Sequence, residues 1–155
     1  MTVAIAIESP LQDDVRTMVA ALNAHMIPLT PREFQFQLTV EQMAEPAVTL
    51  FVARGHDGRP VGIGALKDHG GGIGEVKRMF TLPEVRGQRV GSQLLRSIEA
   101  LARDKGVTRL VLETGEAPGF EPAYRVYERG GFEVCGAVLD YPDSGYSRFY
   151  EKKLA

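Results

Sequence analysis

One short segment of this sequence combines residue types and spacing suited to holding an anion: Glu84-Val85-Arg86-Gly87-Gln88-Arg89-Val90-Gly91-Ser92. It precedes an apolar stripe at helical spacing, formed by Val90, Leu94, Leu95, Ile98, Leu101 and Ala102. The first N–H groups of a helix lack internal acceptors, and the helix dipole leaves roughly half a positive charge beside them. Gly87 and Gly91 let the backbone approach a ligand without a Cβ in the way, while Arg86 and Arg89 add charge. Such a turn suits pyrophosphate. It is neither a Walker loop nor a Gly-x-Gly-x-x-Gly fingerprint. By spacing alone, an ordinary glycine loop with two solvated arginines stays open, and the phosphate ligand is unspecified.

Other elements must position this turn. A strand is expected over Thr2–Ile7, then a helix opened by a Ser9/Gln12 capping box with Pro10 in its first turn. Val15, Met18, Val19, Leu22 and Met26 give that helix its apolar face, and Pro28 and Pro31 end it. Thr39 and Gln42 form a second capping box. Val48–Ala53 and Val61–Lys67 read as a hairpin about Asp57-Gly58. Gly70-Gly71-Gly72 turns into a third strand, Gly74–Thr81, stopped by Pro83. After the Val90 helix come a strand at Arg109–Thr114 and a helix from Pro122 to Arg129. Strands at Glu133–Leu139 and Ser147–Leu154 close the chain. A strand–helix–strand order in the C-terminal half requires a parallel crossover, so a single mixed sheet with helices on both faces fits.

The 155 residues suit one domain, 1–155. A net charge of −2 provides no global basic field for nucleic acid or an anionic membrane. No apolar run approaches the roughly 20 residues of a membrane span, and the N-terminus does not read as a signal peptide. The single cysteine, Cys135, allows no internal disulfide, is compatible with a cytoplasmic location, and reads as a small buried hydrophobe. No His, Cys or Asp cluster has metal-ligand spacing, so no metal is expected. His56 and His69 fall in turns and read as solvated.

Two motifs in order resemble the GNAT acetyltransferase superfamily. Its Arg/Gln-x-x-Gly-x-Gly/Ala motif stands here as Arg86-Gly87-Gln88-Arg89-Val90-Gly91. Its later Ala-x-x-x-Tyr-x-x-x-Gly-Phe signature is matched from Ala123 through Tyr127 to Gly131-Phe132. The resemblance implies an α/β (mixed α+β) fold: a central mixed, splayed sheet of about seven strands flanked by about four helices. The split would lie between Gly74–Thr81 and Arg109–Thr114 and would hold acetyl-coenzyme A. Its pyrophosphate would take N–H groups of Gln88 to Ser92, beside Arg86 and Gly87, and its pantetheine arm would pair with the backbone of Met79, Phe80 and Thr81. Two residues depart from the family pattern. Arg89 replaces a glycine, and Phe120 stands where an asparagine is common.

Acyl transfer from a thioester needs a neutral amine, and a lysine-like amine titrates near ~10.4, so a base helps. Tyr127, which matches the family tyrosine, is the expected general acid for the departing thiolate, with Tyr124 as fallback. Glu75 is the expected general base, as some family members carry a glutamate on this strand, and Glu113 is the runner-up. Strand alternation would put Glu75, Lys77 and Met79 on one face and Val76, Arg78 and Phe80 on the other. Arg78, which could grip a carboxylate, and His25, at the end of the first helix, are acceptor-site candidates. The expected partner is a small-molecule amine, with neither nucleic acid nor membrane. Exposed closing strands would allow a homodimer. A non-catalytic acyl-coenzyme A sensor and a protein-amine acetyltransferase stay open as alternatives.

Overall fold

The apolar runs of the chain pair into one seven-stranded sheet. The computed structural model describes residues 3–26, 28, 38–116 and 118–154. In chain order the elements are β1 (Ala4–Ile7), α1 (Asp13–Met26), α2 (Val40–Met43), β2 (Val48–Arg54), β3 (Pro60–Gly70), β4 (Ile73–Thr81), α3 (Val90–Asp104), β5 (Arg109–Gly115), α4 (Glu121–Arg129), β6 (Glu133–Cys135) and β7 (Ser147–Lys153). The sheet order is β1-β2-β3-β4-β5-β7-β6. All neighbours are antiparallel except β4 and β5, which α3 connects as a parallel crossover. The mixed α/β architecture expected from the sequence is thus the one observed, and no helix among the described residues is long and apolar enough to cross a membrane.

The apolar stripe of α3 packs Val90, Leu94, Leu95, Ile98 and Ala102 onto one sheet face, with Val76, Leu110, Leu112 and Tyr150 beneath and Tyr127 of α4 alongside. Burying each of the Val, Leu and Ile side chains contributes about 1.5–3 kcal/mol. On the opposite face, Val15, Met18, Val19 and Leu22 of α1 meet Val52, Ile63 and Phe80. The β5 run Leu110-Val111-Leu112 is buried on both faces, as a central strand requires.

Three local readings change. Helix α1 begins at Asp13, because Ser9 accepts from Leu11 N–H at 3.1 Å and Gln12 Nε2 donates to Glu8 and to the Ser9 carbonyl. Those bonds close a separate turn instead of the expected capping box. The second box, Thr39 with Gln42, forms as read. Strand β6 stops at Cys135, short of the expected Leu139. Beyond it Val138 is buried against Val111 and Phe149, while Leu139 is exposed at φ 52, so Val138 anchors a loop there. Thr2 and Pro31 lie outside the described residues.

The third change decides the site. Opposite Ile63-Gly64-Ala65, β4 runs Phe80-Met79-Arg78-Lys77, one residue more, with Arg78 at φ 56. This β-bulge inverts the alternation beyond it. Met79 joins Val76 on the α3 face, and Phe80 sits on the α1 face. Arg78 reaches Asn23 of α1, on the side opposite Val76. The faces expected for Met79, Arg78 and Phe80 are therefore corrected. Gly64 makes room for the bulge, since a Cβ there would lie 2.5 Å from Met79 Sδ and 3.0 Å from Ile98 Cδ1.

Candidate active site

Strands β4 and β5 pair only through Ile73–Arg109, Gly74–Leu110 and Glu75–Val111, then separate. A bulge raises local twist and bends its strand, which accounts for the divergence. The resulting cleft has a volume of about 460 Å³. Val76 to Thr81 line one side, Glu113 and Thr114 the other, and the 86–92 turn and α4 complete it. Along this gap the β4 backbone edge has no strand partner among the described residues, so an amide-bearing chain could pair there. Met79, Phe80 and Thr81, expected to hold such a chain, all line the cleft. So does Phe120, whose ring covers Gly115 closely enough that a Cβ there would lie 2.2 Å away.

The anion turn follows a 3-10 turn at Pro83–Val85. Gly87 has φ 82, and Arg89, the residue before α3, holds φ 63 and ψ 22 itself, a left-handed conformation that glycine adopts more readily. Arg86, Gly87, Arg89, Val90, Gly91 and Ser92 line the cleft. The N–H groups of Arg89, Val90, Gly91 and Ser92 meet no backbone carbonyl among the described residues, whereas Gln88 N–H donates to the Val85 carbonyl at 3.2 Å. Gln88 is thus the one expected coenzyme residue that the turn directs elsewhere. The Ser92 hydroxyl is buried without a hydrogen-bond partner. Free amides, an orphaned hydroxyl and two exposed arginines at a helix start fit a pyrophosphate.

Tyr127 and Glu113 both line the cleft. The Tyr127 ring lies 5.7 Å from Tyr150 and 6.2 Å from Phe132 between centroids, and its hydroxyl bonds to no described residue. Burial, then the charge of Glu113 and Tyr150, raises its pKa well above the usual phenol range. Burial likewise pushes the Glu113 carboxyl up, helped by the charge of Glu75, while the Ser147 hydroxyl and Lys77 act against it.

Glu75 is 2% exposed and does not line the cleft. One of its oxygens lies 2.8 Å from His69 Nε2, and the other accepts from the Tyr141 hydroxyl and from Lys77 Nζ at 3.2 Å. His69, read as solvated, is exposed, and its ring also reaches the buried Glu75. Lys77, which also donates to the Tyr141 hydroxyl at 2.7 Å, borders the cleft. No local pattern brings Tyr141 to Glu75, because it lies 66 residues beyond it. Tyr124 is not in the cleft wall; its hydroxyl donates to the Gly115 carbonyl and its ring lies 4.0 Å from the Arg148 guanidinium. Cys135 is half-buried, not buried, and burial raises its thiol pKa.

Arg78 and His25 both line the cleft, and the His25 ring lies 6.3 Å from that of Phe80. Among the described residues no group of three or more His, Cys, Asp or Glu side chains could hold a metal.

Comparison with known proteins bears on the family and the fold. Residues 16–132 match the model of the acetyltransferase (GNAT) family. The chain is similar to the IAA acetyltransferase of Azospirillum brasilense, with 40% identity over 153 residues and 98% of each chain covered. It is also similar to a solved structure from Klebsiella pneumoniae provisionally assigned as an acyl-CoA N-acyltransferase, with 30% identity, a TM-score of 0.81 and 99% of each chain covered. A solved aminoglycoside 6'-N-acetyltransferase in complex with coenzyme A shares the fold, at a TM-score of 0.77, 15% identity and coverage of 98% and 97%.

Proposed function

The chain belongs to the GNAT acetyltransferase family and is an acetyl-CoA-dependent acyltransferase, and from that premise we propose that it acetylates the amine of a small molecule by direct transfer. The observation that carries this reading is that Tyr127 and Glu113 line the same cleft as the anion turn and the open β4 edge. Acetyl-coenzyme A supplies the acetyl group as a thioester. In this reading the free N–H groups from Arg89 to Ser92 hold its pyrophosphate, and the β4 edge from Met79 to Thr81 pairs with its amide-bearing arm.

The amine must lose a proton as its nitrogen bonds to the carbonyl carbon, and the sulfur must gain one as the carbon–sulfur bond breaks. Glu113 is the base we favour. Its raised pKa makes it the stronger acceptor, and it borders the cleft. Glu75, with both oxygens engaged, is better suited to ordering Lys77 and Tyr141 beside it. Tyr127 retains its proton at neutral pH and so has one to deliver to the thiolate. The coenzyme arm and the acceptor would share one cleft of about 460 Å³, which favours a small acceptor.

The test has two parts. Acetyl-CoA should raise the melting temperature where ATP does not. Thiol release with a panel of small amines should fall in Tyr127→Phe by about 10²–10⁴-fold, with coenzyme A affinity retained. Full turnover in Tyr127→Phe would remove it as the acid. Coenzyme binding without turnover of any amine would favour the sensor reading.

A further inference from the structure

Resting on the acetyl-transfer reading, we infer that the acceptor amine also carries a carboxylate, and that Arg78 is the residue that binds it. Arg78 is 8% exposed and is the only buried cation among the described residues. No described carboxylate lies within ion-pair distance of it; the acidic groups of this face are taken by Lys77, His69, Tyr141 and Ser147. Its Nε is buried without a hydrogen-bond partner, and its one side-chain contact is Nη2 donating to Asn23 Oδ1. Asn23 is neutral, so it orients the guanidinium without balancing its charge.

A buried, unbalanced charge is destabilising unless something compensates it. The backbone compounds the cost, since φ 56 is strained for a residue with a Cβ. Both features are paired with position: the bulge that strains Arg78 also turns its side chain towards α1 and into the wall of the cleft. Burial lowers its pKa only to about 10, so it remains a cation at neutral pH. A planar guanidinium with most of its donors unused matches a carboxylate.

Around it, Leu22 and Phe80 supply apolar wall, and Glu113 faces the same space. A single small molecule could therefore present its carboxylate to Arg78, its apolar body to Leu22 and Phe80, and its amine towards Glu113. An amino acid has that chemistry.

The test uses the full chain with leucine against leucinamide, read as kcat/KM for thiol release. It also uses N-acetyl-leucine against N-acetyl-leucinamide, read as thermal shift on the coenzyme A-saturated protein. We expect the acid to exceed its amide by about 10- to 100-fold in kcat/KM, and only the acid to shift the melting temperature. Arg78→Gln should abolish both preferences while leaving coenzyme A affinity and folding intact. Arg78→Lys, which keeps charge but not the fork, should retain part of them. Equal response to acid and amide, no shift with the acid, or a preference that survives in Arg78→Gln would overturn the inference. Acid-selective binding without turnover would count against the transfer reading and leave the Arg78 site standing.

Discussion

Tyr127 keeps its proton because its hydroxyl is buried near a carboxylate, and Glu113 prefers its proton for the same reason of burial. In the proposed mechanism Tyr127 is the acid and Glu113 the base, and each keeps the ionisation order that those roles require. The rate should rise with pH as Glu113 ionises, above the ordinary carboxylate range. No falling limb from Tyr127 should appear by about pH 10. Glu113→Gln should remove the Glu113 limb and lower kcat by about 10²–10⁴-fold. Stability should move the opposite way. A raised folded-state pKa means that the fold favours the protonated carboxyl, so the cost of its charge is absent in acid and present above the raised value. Glu113→Gln should thus melt higher than the parent at pH 7, with the gap closing near pH 4. A lower melting temperature at pH 7 would contradict this account of the site.

At the scale of elements, the β4 bulge and the 86–92 turn do what regular strand and helix geometry could not. The bulge aims Arg78 towards α1, and Gly64 leaves space for the displaced Met79. The turn presents its free amides because Gly87 and Arg89 both accept positive φ. Glycine is more at ease there, whereas alanine keeps the steric penalty and loses the guanidinium. Arg89→Gly should therefore exceed Arg89→Ala in stability by about 1 kcal/mol in urea unfolding. Both variants should flatten the salt dependence of coenzyme A binding, since each removes one exposed cation. Equal stability of the two would mean that the turn relaxes out of the left-handed conformation.

Across the whole molecule, the sheet is two blocks, β1–β4 and β5–β7–β6, joined edge to edge by three residue pairs. Helices α3 and α4 bridge them with a shared core. A ligand lying in the gap touches both blocks and should tie them together. Saturating coenzyme A at about 100 times its Kd should stabilise the fold by about 2.7 kcal/mol. Hydrogen exchange should slow at Val76–Thr81, the start of α3 and α4, and be little changed in β1 and β2. Uniform protection of all strands would point to a binding site elsewhere.

Much of this was readable from residue order. The paired motifs at Arg86–Gly91 and Ala123–Phe132, the apolar stripe of α3 and the continuous run of β5 are local patterns, set by backbone amides, glycine and helical spacing within a few residues. They determined the fold class, the anion turn and the candidate tyrosine. The faces of Met79, Arg78 and Phe80 were not readable, because one extra residue against β3 inverts an alternation that sequence alone must assume regular. Nor were the different surroundings of Glu75 and Glu113. They depended on Tyr141 and Ser147 arriving from distant segments to bond Glu75 and Glu113 respectively, and burial and charge balance are decided only by what the tertiary fold brings together.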